Sequence, residues 1–399
     1  MPDDAPAAAA PDAAATGVHA SPYPRFSPLE MERRHGALAA AMDERGVEHV
    51  VVRGADRSGS ASGWLTRWPV TREAIAVVTP GEADVLLVGF YNHVPNATRV
   101  ATEADVRYIG EDPAGTAVAE LRRRGATGRR IGVIGPIGHG THAALGALAS
   151  EVVDLNGTYA RLRLVKSAEE LDWVRHAAAL TDAGVRALAD AARPGVDERE
   201  LGDRIERAYV ALGAVTHIHY LAATGMDAPG ISVPAQYPTD RPLAAGDALT
   251  CEISASFWEY SGQVLRTFAV AADPPALYRE LHAVADAAFD AVSGRLRAGA
   301  TAAELVEASG VIEEAGFTIR DDLVHGYVGG YWPPVLGTRS RRIAPVPDFT
   351  YAAGTTVVVQ PNVVTPDERA GVQTGELLLV TETGTERLHD VPRGLLRVG

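Results

Sequence analysis

The chain has 399 residues, of which 46% are hydrophobic and 22% are charged, proportions that are usual for globular domains. Its formal net charge of −14 argues against a nucleic-acid partner, which requires clustered lysine and arginine. The single cysteine, Cys251, excludes a disulfide framework and favours a cytoplasmic protein, and the absence of any run of 18 apolar residues excludes a predicted membrane span.

The first part of the chain predicts a tail followed by an α/β domain. Residues 1–24 are rich in Ala, Pro and Asp, which is typical of a disordered tail. Residues 25–160 begin with a predicted helix at 29–45, whose apolar stripe includes Met31, Leu38 and Met42. The predicted strands of this domain are 48–52, 74–78, 83–87 and 130–133. Residues 131–146 have the form of a dinucleotide-binding turn, but this unit lies late in its domain, so we expect no cofactor.

Residues 161–399 predict a second domain that contains an internal duplication. Residues 193–201 and 297–305 are similar, and Asp182 and Asp286 keep the same spacing as these two segments. Each copy is predicted to form a helix, a Gly turn and a second helix, followed by strands. The strands are predicted at 217–222, 248–256, 263–271, 322–328, 355–363 and 376–382. We therefore expect two facing halves, a curved and largely antiparallel sheet with outer helices, and a site in the crevice between the halves.

Several motifs of the second domain resemble the creatinase/prolidase family, which has the pita-bread fold. They are the helix opening at 161–170, Gly246-Asp247, Leu265-Arg266-Thr267, Val324-His325-Gly326, Gln360-Pro361-Asn362 and Gly371-Val372. Residues 28–160 resemble the N-terminal domain of this family. The resemblance implies an α/β (α+β) protein with a creatinase-like N-terminal domain and a pita-bread catalytic domain.

The chain departs from this family at the metal site. Metal-dependent members hold two divalent cations with two aspartates, one histidine and two glutamates. The matching positions here are Glu252, Gln263, His325, Gln360 and Gly375. Two divalent cations require matching anionic oxygen, and only the first of these five positions carries a carboxylate. We therefore predict that the site holds no metal.

The departures favour the metal-free branch of the family, which includes creatinase and the ectoine hydrolases. Three segments resemble ectoine hydrolases: Cys251-Glu252-Ile253, the loop 326–334, and residues 388–395. The resemblance implies cleavage of a C–N bond in a small, nitrogen-rich molecule. A histidine that creatinase-type chemistry uses falls on Ser232 in this chain.

Glu252 and His325 are the principal catalytic candidates. Glu252 lies on a predicted strand and can act as nucleophile, general base or anchor for a cationic substrate, and its alternative role is an ion pair with Arg266. His325 is the candidate proton carrier. The side chain of Cys251 should oppose that of Glu252, which predicts an inert buried thiol.

Two further histidines alternate on one predicted strand. His217 and His219 should therefore point to one face, where they could replace the base that is missing at Ser232. Amide, carboxylate and aromatic side chains near the crevice complete the substrate-binding candidates. These are Gln263, Gln360, Glu376, Tyr327, Tyr331, Trp332, Ser232, Asp227 and Arg266.

The sequence thus predicts a metal-independent hydrolase acting on an amide, amidine or guanidine C–N bond. One alternative is a lyase or peptidase with a single metal ion held by His217, His219, His325 and Glu252. The other is a non-catalytic pita-bread domain that binds a small molecule or peptide. The resemblance also implies a homodimer in which the partner's N-terminal domain caps the site. The candidates for that cap are Trp64, Arg67, Trp68 and Tyr91.

Overall fold

The structure is a computed structural model that describes residues 23–56 and 58–399. The predicted disordered tail lies outside the described residues up to residue 22. The chain divides into two compact units, with the boundary between Arg163 and Leu164. Within the described ranges, no helix combines the length and the apolar character that crossing a membrane would require.

The N-terminal unit alternates strands and helices, as predicted. Its helices are α1 Pro28–Glu44, α2 Ala61–Thr66, α3 Val94–Val100, α4 Pro113–Arg123, α5 His139–Leu148 and α6 Asn156–Leu162, with a 3-10 turn at Tyr91–His93. Its strands are β1 His49–Ala55, β2 Glu73–Val78, β3 Val85–Val88, β4 Asp105–Tyr108, β5 Arg130–Ile134 and β6 Glu151–Asp154. They form a mixed sheet in the order β4-β3-β2-β1-β5-β6.

Local sequence explains the start of α1. The Ser27 side chain caps the helix by accepting a hydrogen bond from the Glu30 backbone N–H at 3.1 Å, and Pro28 occupies the first turn. The predicted apolar stripe is confirmed, because Met31, Leu38 and Met42 are all buried.

Most of the residues proposed to cap a partner's site are packed inside the N-terminal unit. Trp64, Arg67 and Trp68 are buried, so the prediction that their side chains are available to a partner is wrong. Tyr91 is 76% exposed and remains available.

The C-terminal unit contains long helices and an antiparallel sheet. The helices are α7 Ala168–Ala191, α8 Glu198–Val210, α9 Ala276–Arg295, α10 Ala302–Ala308 and α11 Val311–Glu314. The strands are β7 Val215–Gly225, β8 Asp247–Phe257, β9 Tyr260–Ser261, β10 Val264–Val270, β11 Val324–Tyr327, β12 Tyr331–Leu336, β13 Thr356–Val359, β14 Asn362–Val364, β15 Gly371–Gln373, β16 Gly375–Val380, β17 Thr385–Arg387 and β18 Leu396–Val398.

The main sheet runs β12-β11-β13-β16-β10-β8-β7, with every neighbouring pair antiparallel. Helix α7 packs against β8, and α9 packs against β13, β14 and β15. The predicted class, an α/β unit followed by an antiparallel sheet with covering helices, is therefore confirmed.

The duplication is visible in equivalent structural details. Gly195 and Gly299 both have positive φ, at 93° and 84°, in the turns between paired helices. Two residues later, Asp197 and Thr301 are the N-caps of α8 and α10. A capping box of Ser167 with Glu170 is present at the start of α7.

The sequence-based strands are wrong at two places near the site. The predicted strand 355–363 is broken after Val359, because β13 and β14 belong to different sheets. Strand β12, which contains Pro333 and Pro334, begins inside the segment 326–334 that was treated as a loop. Proline is tolerated there because β12 lies at the edge of the main sheet, where one side of the strand needs no ladder partner.

Candidate active site

A cavity of about 430 Å³ opens within the C-terminal unit. It is bounded by β7, the loop after it, β8, the start of β10, the turn before β11, β11 itself, β12 and the end of β13. Its lining residues are His217, Ile218, Tyr220, Val233, Pro234, Gln236, Glu252, Gln263, Arg320, Asp321, Asp322, His325, Tyr327, Tyr331 and Gln360. The structure thus brings together the predicted residues Glu252, His325, His217, Gln263 and Gln360, and with them Tyr327 and Tyr331.

Strand alternation turns Glu252 toward the cavity. On β8 it lies between Tyr220 of β7 and Leu265 of β10, and its own neighbour Cys251 points to the opposite face. Residue Glu252 is 8% exposed, and its carboxyl accepts a hydrogen bond from Gln263 Nε2. Burial raises the pKa of Cys251 to about 12, which agrees with the predicted inert thiol.

The Glu252 carboxyl has an unusually high pKa. Burial, followed by the negative charges of Asp321 and Asp322, raises the pKa of Glu252 to about 8, whereas the Gln263 hydrogen bond lowers it. At neutral pH this group is therefore mainly a neutral acid. It can donate a proton in that state, and a nearby positive charge would favour its ionised form.

His325 is held on β11 with an oxygen at each ring nitrogen. Nδ1 lies 3.0 Å from the Gly326 carbonyl oxygen, and Nε2 lies 3.2 Å from Gln360 Oε1. Both carbonyl oxygens are acceptors, so each is placed to receive a hydrogen bond from the ring nitrogen beside it. The ring also packs on Tyr331, with 4.4 Å between centroids. The arrangement suits a group that delivers a proton.

Asp322 is a buried hub that sequence reasoning missed. It accepts hydrogen bonds from Tyr331 Oη and from Gln360 Nε2, and so fixes which end of the Gln360 amide faces His325. Burial raises the pKa of Asp322. The Asn362 side chain holds the turn before β11 by accepting from the Asp321 backbone N–H at 2.9 Å. The sequence pattern that could have identified this residue is the pair Asp321 and Asp322 shortly before the buried strand β11.

The prediction that His217 and His219 share one face is wrong. A β-bulge places the extra residue His217 between Thr216 and Ile218, so strict alternation fails at this point. His217 lines the cavity, but His219 turns away and its Nε2 is hydrogen-bonded to Tyr209 Oη of α8. Burial lowers the pKa of His219. The proposed ligand set of His217, His219, His325 and Glu252 therefore does not assemble.

Arg266 and Glu376, also predicted to contact substrate, do not line the cavity. Arg266 pairs in register with Cys251, which places it on the face opposite Glu252. Its Nη2 lies 2.7 Å from Glu376 Oε2, and both side chains are almost completely buried. The alternative ion pair between Glu252 and Arg266 is excluded for the same reason.

Three other predicted substrate contacts are also absent from the lining. Trp332 neighbours Tyr331 on β12 and so points to the other side, where its Nε1 donates to the Val328 carbonyl oxygen at 3.2 Å. Asp227 is exposed away from the cavity. Ser232 is buried outside it, although the next two residues of the same loop, Val233 and Pro234, do line it.

The residues present do not fit a pair of divalent cations. Gln263 and Gln360 are neutral, and each turns its N–H group toward a carboxyl. A Cβ at Gly375 would lie 2.7 Å from the Val359 carbonyl oxygen and 2.7 Å from Gln360 Cα, so this position has no room for a glutamate. Within 23–56 and 58–399, no three His, Cys, Asp or Glu side chains are grouped so that they could hold a metal ion.

Comparison with known proteins gives one family and several relatives. The sequence model of "Metallopeptidase family M24" matches residues 172–382. The "Uncharacterized peptidase YqhT" of Bacillus subtilis is 25% identical over 65% of this chain and 72% of its own length. The "Xaa-Pro dipeptidase" of Pyrococcus furiosus is 25% identical over 59% and 66%, and the "Ectoine hydrolase" of Halomonas elongata is 24% identical over 61% and 62%.

Solved structures share the fold over nearly the whole chain. The Xaa-Pro dipeptidase from Bacillus anthracis has a TM-score of 0.78 at 19% identity, covering 92% of this chain and 100% of its own. The prolidase from Thermococcus sibiricus has a TM-score of 0.79 at 18% identity, covering 94% and 100%. The predicted pita-bread fold is thereby confirmed.

Proposed function

We propose that the chain, which belongs to the metallopeptidase family M24, is a hydrolase that cleaves a C–N bond, and that it does so without a metal ion. The substrate would be a small polar molecule with an amide, amidine or guanidine group. The main support is the buried Glu252 carboxyl, which faces the cavity with neutral amides where the metal-dependent pattern requires carboxylates. An ectoine hydrolase among the relatives supports the reaction class.

Hydrolysis adds water across the C–N bond, so the carbon gains oxygen and the nitrogen leaves with a proton. Ionised Glu252 either attacks the carbon, giving a covalent intermediate that water then hydrolyses to free the carboxylate, or takes a proton from the water that attacks the carbon. His325 supplies the proton to the leaving nitrogen from Nε2, which Gln360 Oε1 orients at 3.2 Å. His217, at the exposed rim of the cavity, is placed to assist proton transfer.

The charge of the cavity favours a cationic substrate group. Glu252, Asp321 and Asp322 contribute three carboxyls to the lining, whereas Arg320 directs its guanidinium to Glu368 at 3.4 Å. A bound amidinium or guanidinium would stabilise ionised Glu252 and bring its pKa down. Tyr327 and Tyr331 add aromatic surface, which suits a planar cation.

A substrate panel tests this proposal. Protein purified without chelator is incubated with ectoine, creatine, a simple N-acetyl amide and an Xaa-Pro dipeptide, with and without EDTA, and its metal content is measured. We expect turnover of a cyclic amidine, guanidine or amide that EDTA leaves unchanged. Glu252→Gln should abolish it, whereas Asp227→Asn, which alters an exposed carboxylate outside the cavity, should not. Turnover that requires stoichiometric metal, or that survives Glu252→Gln, would refute the proposal.

A non-catalytic binding domain is the second candidate. The replacement of ligand carboxylates by Gln263, Gln360 and Gly375 favours it, because the same changes would accompany loss of catalysis. Binding of a panel compound by calorimetry with no product formed over many hours would support this candidate over the hydrolase.

We also propose that the protein acts as a homodimer. Tyr91 is exposed and stacks edge-on against Tyr108 at 5.9 Å between centroids, which leaves an aromatic surface on the N-terminal unit. Light scattering should give twice the monomer mass, and Tyr91→Asp should lower it. A monomer mass for the unmodified protein would contradict this proposal.

A further inference from the structure

A buried histidine–aspartate pair lies behind the cavity and takes no part in the chemistry proposed above. His389 belongs to the segment 388–395, and Asp182 lies on α7. His389 Nδ1 lies 2.6 Å from Asp182 Oδ1, and the two side chains are 0% and 3% exposed. The second Asp182 oxygen accepts the Asp390 backbone N–H at 2.9 Å. A pair enclosed in this way cannot meet a substrate directly.

The other ring nitrogen of His389 contacts the backbone of Gln263, whose side chain lines the cavity. The Gln263 backbone N–H points at His389 Nε2 over 3.3 Å. A backbone N–H can only donate, so Nε2 must carry the lone pair and Nδ1 must carry the proton that it donates to Asp182. Asp182 therefore fixes the tautomer that allows His389 to accept from Gln263.

The short turn of Gly262 and Gln263, which links β9 to β10 and contacts His389, is closely packed. A Cβ on Gly262 would lie 2.6 Å from Ala178 Cα, 2.8 Å from Thr181 Oγ1 and 2.9 Å from His389 Cε1, so the turn is pressed against α7 and His389. Gln263 leaves this turn with its amide Nε2 donating to Glu252, while its buried Oε1 has no hydrogen-bond partner among residues 23–56 and 58–399. The position of that amide therefore depends on where the backbone of Gln263 is held.

We propose that His389, oriented by Asp182, is a positioning residue that fixes Gln263 and thereby the hydrogen bond from Gln263 to Glu252. The consequence for turnover rests on the proposed function, whereas the consequence for the Gln263 amide does not. The arrangement also gives the segment 388–395 a role at the site, although none of its residues lines the cavity.

Two conservative variants separate the two hydrogen bonds of His389. The asparagine amide in His389→Asn reproduces Nδ1 and keeps the bond to Asp182, but it provides no acceptor for Gln263. The longer glutamine in His389→Gln places an oxygen near the position of Nε2 and keeps that acceptor. In ¹⁵N-labelled protein, the side-chain amide signals of Gln263 are assigned by their loss in Gln263→Leu. We expect these signals to shift and exchange faster in His389→Asn, and to stay near wild-type positions in His389→Gln.

Turnover of the panel substrate that is cleaved fastest provides the second measurement. We expect kcat to fall about tenfold or more in His389→Asn with little change in KM, because misplaced catalytic groups slow the chemical step. His389→Gln should restore most of it. If no panel compound is cleaved, the proposed function fails, and the amide signals still decide the positioning role.

Equal behaviour of the two folded variants, in signals or in turnover, would overturn the proposal. If neither variant folds, the unmodified protein still gives a test, because long-range ¹H–¹⁵N spectra report the tautomer of each histidine. A proton on Nε2 of His389 would overturn the proposal, and a proton on Nδ1 with coupling between Nε2 and the Gln263 amide nitrogen would support it.

Discussion

Replacing Glu252 by glutamine should change how stability depends on pH, and this can be measured without knowing the substrate. In the folded chain the pKa of Glu252 is raised from about 4.5 to about 8, first by burial and then by Asp321 and Asp322. Below pH 4.5 the carboxyl is protonated in both folded and unfolded chains. Above pH 8 it is ionised in both, and only the folded chain then bears the cost of a buried charge.

The contribution of Glu252 to the free energy of unfolding of the wild type should therefore fall as pH rises through this window. The expected slope from this group is about 1.4 kcal/mol per pH unit, which accumulates to about 5 kcal/mol between pH 4.5 and pH 8. Glutamine has the same shape and does not titrate. Glu252→Gln should thus become progressively more stable than the wild type as pH rises, because titrations common to both proteins cancel in the difference.

Urea unfolding of both proteins at half-unit intervals from pH 5 to pH 8 measures that difference. Asp227→Asn is the matched control, because it removes an exposed carboxylate and should show no comparable trend. If the difference in unfolding free energy between wild type and Glu252→Gln stays constant from pH 5 to pH 8, the pKa of the Glu252 carboxyl is not raised. That result would remove the basis of its assigned role.

Three further changes have defined outcomes. Asp321→Asn removes a negative charge near Glu252, so the pKa of Glu252, read from its carboxyl ¹³C shift, should fall, and an unchanged midpoint would contradict the assigned cause. Glu376→Gln leaves the Arg266 guanidinium buried without its charged partner, so urea unfolding should show a loss of about 3–5 kcal/mol, and a loss below about 1 kcal/mol would show that the pair is dispensable. Gly375→Glu should destabilise the fold, because its Cβ would clash with the backbone of Val359 and Gln360, and elemental analysis should find no stoichiometric metal. A stable variant that binds metal stoichiometrically would show that the backbone at this position can move to accept a side chain.

The amino-acid sequence by itself determined the local secondary structure at several places and the chemical type of the candidate site residues. Buried runs such as 50–52 of β1 and the repeated Gly195 and Gly299 turns specify their elements locally, because side-chain alternation and backbone freedom act over a few residues. That Gln263 and Gln360 are neutral amides, which supply no anionic oxygen to a cation, is likewise stated directly by the sequence. Glu252 was a catalytic candidate because of its position in the family resemblance, and it lines the cavity.

Tertiary structure alone decided which of the candidates meet. A single extra residue at His217 reverses the face on which His219 lies, and no local pattern marks that bulge. Arg266 pairs with Glu376 across more than 100 residues of sequence, and His389 pairs with Asp182 across more than 200. Asp322 becomes a hub only because Gln360 and Tyr331 arrive from other strands. Contacts between distant segments depend on sheet register and on burial, and these properties belong to the folded chain as a whole.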